Sequence, residues 1–406
     1  MTAPGSGSGY DLVLKGGRLI DERNRLDGLF DVALKGGKIA AVAKAIDPAS
    51  AQVTDVTGCI VTPGLIDIHT HVYHKATSLS VDPGLVARRA ALTTLIDAGS
   101  AGAGNYDGFR DYVMAHSPYR ILAFLNISFP GIFGFDKDVQ IGEATARAML
   151  PVHRCVEKIE ANRDRLIGVK VRIGGLVTGD LGLGALELAL EAANAVDLPL
   201  MTHIGHPPPS YTDVVNMLRP GDILTHCYRP EPNSAIGPDG KVLEAVWKAR
   251  ERGVLFDIAH GMGAFGYETA EAALKDGFKP DLISSDVHVI AIDGPGYDLL
   301  HTMSKLLNCG LTLAEIVGMS TSRPALAIRR PDLGHLGVGA SADISVLREV
   351  QSDYVFADVV GQRRQGTTLL HPVACYVGGA AMEVSTRPFE TPYIVGHLDH
   401  HHHHNH

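Results

Sequence analysis

The stretch TPGLIDIHTH, Thr62 to His71, is an apolar run that ends in two histidines. In a strand, alternate side chains share a face, so His69 and His71 are expected to point inward together, with Ile68 and Thr70 turned to the opposite side. Two imidazoles spaced in this way can ligate one metal ion. A strand that starts apolar and ends in paired ligands suits an inner strand of a parallel barrel, whose chemistry gathers at the C-terminal ends.

Further apolar runs follow at Thr93–Asp97, Ile121–Ile127, Leu166–Arg172, Leu198–His203, Asp222–His226, Gly253–Ile258 and Asp281–Asp286. Amphipathic helical stretches lie between them, among them Ala185–Ala195, Val242–Arg252 and Glu268–Asp276. Strands alternating with helices, mostly at a spacing of roughly 24–32 residues, predict an α/β fold of the (β/α)8 TIM-barrel type, about 250 residues long. The long gap after Ile127 contains FPGIFGFDKD, and its segment from Pro130 to Val139 is expected to overhang the barrel mouth. Both termini have a different texture, with short strands and Gly-Gly bends at Asp11–Leu14, Asp31–Leu34, Ile39–Val42 and Gln52–Val61, and again at Asp343–Leu347, Tyr354–Val359 and Ala374–Val377. The predicted organisation is a small β-sandwich from residues 1–61 plus 336–385, a barrel over 62–335, and a tail over 386–406. That tail carries His397, His400 to His404 and His406, reads as an expression tag or a solvated, metal-binding tail, and is set aside from fold reasoning.

The predicted strand tips are polar where a structural barrel would place Val, Ile or Leu. Strand four carries Lys170, strand five ends at His203, strand six at His226 and strand eight at Asp286. One buried histidine is ordinary packing. Four histidines, an aspartate and a lysine at matching ends of five strands are not.

With these motifs (TPGLIDIHTH, GVKVR, PLMTHIGH, ILTHC and ISSD) the chain resembles the amidohydrolase superfamily over about residues 10–350. It looks closest to the deacetylase-like, dihydroorotase-like metallohydrolases, whose studied members cleave acetylated α-hydroxy acids. DAGSAGAGN (97–105), LNISFPG (125–131) and the pair His260-Gly261 add to that match. The resemblance implies two divalent ions, taken as zinc. His69 and His71 with Asp286 would hold one, His203 and His226 the other, and Lys170 would bridge them. A lysine can bridge only after its amine, made neutral by burial, takes up CO2 as a carbamate. The implied reaction uses a metal-bridging hydroxide, with Asp286 as the catalytic proton shuttle.

Substrate contacts are read from position. Arg172 lies on the face of Lys170, one step nearer the mouth, where its fork could hold a carboxylate. Tyr228, His260 and Asn126 are further candidates near strand ends, whereas His74, His206 and His288 read as loop or supporting residues. The expected activity is hydrolysis of an amide or ester in an N- or O-acyl derivative of a small carboxylic acid. Cyclic amide hydrolysis of the dihydroorotase, hydantoinase or lactamase type, or lactone hydrolysis, is the alternative. Lys170 argues against a deaminase, since related deaminases generally use one metal and lack that lysine. The complete ligand set argues against a barrel that has lost catalysis.

The chain has 406 residues, 45% of them apolar and 20% charged, with a net charge of −9. This excludes disorder and coiled coil and speaks against a nucleic-acid partner. Five scattered cysteines without a CxxC pair, no signal peptide and no apolar run long enough for a membrane span point to a cytoplasmic protein. The expected partner is a small anionic substrate, and a homo-oligomer is left open.

Overall fold

The computed structural model describes residues 9–385, so the histidine-rich tail over 386–406 lies outside the described residues. Parallel strands β1 (Leu65–Thr70), β2 (Leu92–Gly102), β3 (Arg120–Asn126), β4 (Leu166–Ile173), β5 (Leu200–Ile204), β6 (Ile223–Thr225) and β7 (Leu255–Asp257) pair in chain order. The eighth expected run, Asp281–Asp286, forms no ladder strand but closes the ring. Leu282 bridges Asp257 on one side, and Val287 bridges Thr70 on the other. Side chains take over ladder bonds here. The Ser285 amide donates to Asp67 Oδ1 at 3.1 Å, and the Ser284 hydroxyl accepts from the Ala259 amide at 3.1 Å. The result is a TIM-type barrel, with the expected helices present as Leu183–Val196, Glu244–Arg252 and Tyr267–Lys275.

An apolar cluster drawn from Ile66, Ile68, Ile96, Ala98, Leu122, Phe124, Met201, Ile223 and Leu282 fills the inside of the barrel. It forms a floor beneath the mouth. Ile68 belongs to this cluster and is not turned to the helices, which corrects the simple alternation. The pairing of β1 with β2 slips between Asp67 and Thr70, and that irregularity resets the face before His69. Val169, Val171, Leu200, Leu224 and Phe256 belong to the larger outer core beneath the helices.

The terminal segments form two further sheets. One has the order Lys38–Ala43, Asp31–Lys35, Leu12–Lys15, Gln52–Asp55. The other runs Ala380–Met382, Arg363–Val377, Ile344–Ala357, Ile60–Pro63, Arg18–Asp21, Leu26–Leu29. Leu14, Leu19, Val32, Leu34, Val61, Ile344 and Val346 pack together between them, giving the β-sandwich. The expected strand Gln52–Val61 is split between the two sheets, with Gly58 at φ +81° in the turn. No helix among the described residues is long and apolar enough to cross a membrane.

Candidate active site

Strand β1 delivers His69 and His71 to the mouth, and both Nε2 atoms lie 3.1 Å from Asp286 Oδ1. These three side chains form the group able to hold a metal ion. Their orientation comes from outside the site. His69 Nδ1 is 2.9 Å from Thr225 Oγ1, whose own hydrogen goes to Asp257 Oδ2 at 2.9 Å. The hydroxyl must therefore accept from His69 Nδ1–H, which leaves the Nε2 lone pair facing inward. His226 is set in the same way, because its Nδ1 lies 2.8 Å from the Ala259 carbonyl, which can only accept. His71 Nδ1 meets Ser100 Oγ at 2.9 Å. His203 stands edge-on to His226, with ring centroids 4.6 Å apart.

Burial decides the charge states. It pushes the His71 pKa down to about 3 and that of His226 well below the usual value, so both rings are neutral and fit to ligate. Burial would raise Asp286, but His69, His288 and His71 around it outweigh that and hold it well below the usual carboxylate range. Lys170 is fully buried and its Nζ meets no hydrogen-bond partner among the described residues. Burial pulls its pKa down to about 8, against the opposing pull of Asp286. A buried amine without a partner normally costs stability, so a ligand at this atom would explain its presence. Burial and Lys170 would lower the pKa of the His69 ring, but Asp286 and Asp257 outweigh them and raise it. Imidazoles, one carboxylate and one unsatisfied amine are donors that fit a divalent metal.

Backbone geometry is unusual at the same place. His226, Ala259 and Asp286 have φ of +75°, +39° and +51°, a region disfavoured for residues with a Cβ. Two glycines give the ligands room. A Cβ on Gly99 would sit 2.5 Å from Lys170 Cγ, and one on Gly261 would sit 2.4 Å from Asp286 Oδ2. These are the glycines of the DAGSAGAGN and His260-Gly261 motifs.

A cavity of about 450 Å³, mouth included, covers the six expected ligands. Leu79, Ile132, Phe135 and Met262 make its apolar wall. Ile132 and Phe135 come from the Pro130–Val139 loop, which therefore lies over the mouth as expected. The expected substrate contacts fare differently. Arg172 lines the cavity, but its Nε and Nη2 donate to the two oxygens of buried Glu143 at 2.6 and 2.9 Å. The fork expected to grip a substrate already grips the chain. Tyr228 is turned away, its hydroxyl donating to the Phe278 carbonyl among Phe278 and its neighbours. His260 Nε2 meets Lys305 Nζ at 2.7 Å and does not line the cavity. Asn126 donates from Nδ2 to the Gly99 carbonyl at 3.0 Å, accepts from the Ser128 amide at 2.9 Å and does not line the cavity. Sequence reasoning missed Arg229, which does line the cavity and follows His226 by three residues. His288, read from sequence as a loop or supporting residue, lines the cavity with its Nδ1 3.7 Å from Asp286 Oδ1.

The family model described as "Amidohydrolase family" matches residues 60–369. A deacetylase of Agrobacterium fabrum is 34% identical over 357 residues, 87% of each chain. The crystal structure of an adenine deaminase superposes with a TM-score of 0.85 at 30% identity, covering 92% of this chain and 100% of its own. That of a dihydroorotase gives 0.84 at 31% identity, covering 92% and 99%.

Proposed function

We propose, for a chain that belongs to the amidohydrolase family of metal-dependent hydrolases, that it cleaves an amide or ester bond in an N- or O-acyl derivative of a small carboxylic acid. The observation that carries the two-metal reading is Lys170, a buried amine with no hydrogen-bond partner among the described residues, lining the same cavity as His69, His71, His203 and His226. His69, His71 and Asp286 would hold one ion, His203 and His226 the second, and a carbamate on Lys170 would serve both. Two such ions, for which zinc suits the donors, would when bound supply Lewis-acid polarisation of a carbonyl and acidification of a water. Asp286 takes the proton of the attacking water on its carboxylate and passes it to the leaving group.

Charge supports the anionic substrate. Arg229 is buried on the cavity wall, and burial pulls its pKa down to about 10 despite Tyr211 and Glu231. Arg172 is raised instead, because Glu143 outweighs the cost of burial. Both guanidiniums line the cavity, and that of Arg172 is already engaged by Glu143. The apolar wall would take the remainder of the substrate. Cyclic amide hydrolysis is the second reading, favoured by the likeness to a dihydroorotase structure.

The deciding experiment is a hydrolysis screen of acyl-amino acids, acyl-hydroxy acids, lactams and lactones, with zinc and bicarbonate supplied. Turnover of open acyl carboxylates is the expected result. Turnover confined to the rings would overturn it in favour of the second reading.

A further inference from the structure

Lys305 is fully buried in the helix Leu299–Asn308, outside the cavity. Its Nζ lies 2.7 Å from His260 Nε2 and 2.9 Å from the Pro295 carbonyl, and it also donates to the carbonyl of Ala357. Ala357 ends a strand of the terminal sheet, Pro295 lies beyond the eighth barrel segment, and His260 follows β7. One amine thus joins three separate parts of the chain. With Nζ donating, His260 Nε2 accepts, and the ring hydrogen sits on Nδ1, 2.9 Å from the Gly261 carbonyl. The ring stacks on Phe265 with centroids 4.9 Å apart and planes at 15°. Gly261 in turn donates from its amide to the Ser285 carbonyl at 2.8 Å. A Cβ on Gly261 would meet Asp286 Oδ2 at 2.4 Å, so the glycine backbone is the surface on which that carboxylate rests. Packing alone would be served here by Met or Leu without the cost of burying an amine.

We propose that Lys305 is a positioning residue for Asp286, acting through His260 and the Gly261 backbone. Without it, His260 keeps only its Nδ1 contact and the Phe265 stack, Gly261 gains freedom to shift, and the support of the carboxylate weakens.

The test uses the full-length, zinc-loaded protein with Lys305→Met, His260→Phe and the double variant. Three quantities are read: the rate at which EDTA removes zinc, kcat and KM on any acyl substrate the parent turns over, and the thermal midpoint. Zinc loss should be roughly tenfold faster in each single variant and kcat roughly tenfold lower, the scale of one charge-assisted hydrogen bond, with KM unchanged. The double variant should be no worse than the singles, because both break one chain of contacts. A lowered midpoint with unchanged zinc loss and unchanged kcat would make Lys305 merely structural. Effects that add in the double variant would overturn the route through His260. Should Lys305→Met not fold, His260→Phe alone decides by the zinc-loss rate, and an unchanged rate overturns the proposal.

Discussion

The floor and the mouth of the barrel are built from the same strands, about two residues apart. Phe124 lies in the apolar floor and Asn126 above it; Met201 is followed by His203, and Leu282 by Ser284 and Asp286. Two residues of strand advance roughly 7 Å, and over that distance the interior changes from hydrocarbon to buried imidazole, amine and carboxylate. The floor contains what a core wants: interlocked side chains with no polar atoms to satisfy. The mouth contains what a core avoids, with positive φ at His226, Ala259 and Asp286 and, at Lys170, an amine without a partner among the described residues. Stability therefore originates below and chemistry above, which is how a barrel can tolerate an unfavourable site.

The sharpest way to break this division is to remove the least favourable member of the mouth. Lys170→Ala should take activity to background and lower the bound metal, measured by metal analysis, while the thermal midpoint of the metal-free protein holds or rises. A midpoint that falls steeply would make Lys170 part of the core after all. Next in size is Asp286→Asn, which should keep the fold but lower turnover by roughly 10²–10⁴-fold, the usual contribution of a positioned acid–base group. A loss under about tenfold would move the proton shuttle to another residue.

The floor should answer in the opposite way. Phe124→Ala should cost about 3–5 kcal/mol of stability, as for other buried aromatic truncations, read by denaturant unfolding. Metal content and kcat of the folded fraction should change little. A loss of bound metal comparable to that in Lys170→Ala would show that floor and mouth are one unit.

What was legible in the sequence follows the same boundary. The strands, and the gathering of His69, His71, Lys170, His203, His226 and Asp286 at one cavity, could be read because an apolar run ending in a polar tip is a local pattern, contained within ten residues such as Thr62–His71. Substrate contacts could not be read that way. Strand alternation turns Arg172 inward correctly but says nothing of Glu143, which reaches it from a loop 29 residues away. Alternation also fails once the backbone leaves the strand. Positive φ at His226 breaks the rule that would have put Tyr228 on its face, and positive φ at Ala259 does so for His260. In the terminal sheet, Arg363–Leu370 forms half of a 15-residue strand, yet RRQGTTLL carries little apolar pattern to announce it.

The smallest effect separates the two arginines of the mouth. Arg172 and Glu143 form a buried pair, and Arg172→Met would leave a carboxylate in the interior without its partner. The expected cost is about 3–5 kcal/mol of stability, with the ratio of activity on carboxylate and neutral substrates unchanged. Arg229 is held by other groups, its Nη1 donating to the carbonyls of Pro232 and Asn233 while Tyr211 and Glu231 act on its charge. Arg229→Met should lower kcat/KM for carboxylate substrates by roughly 10–10²-fold, the scale of a hydrogen bond to a charged group, and leave neutral esters nearly untouched. In a protein of net charge −9 an anionic substrate meets repulsion unless a cation near the metals offsets it, so the effect should shrink as salt is added. If Arg172→Met changes the substrate ratio and Arg229→Met does not, the clamp lies on β4. Glu143 would then have to release Arg172 when substrate enters.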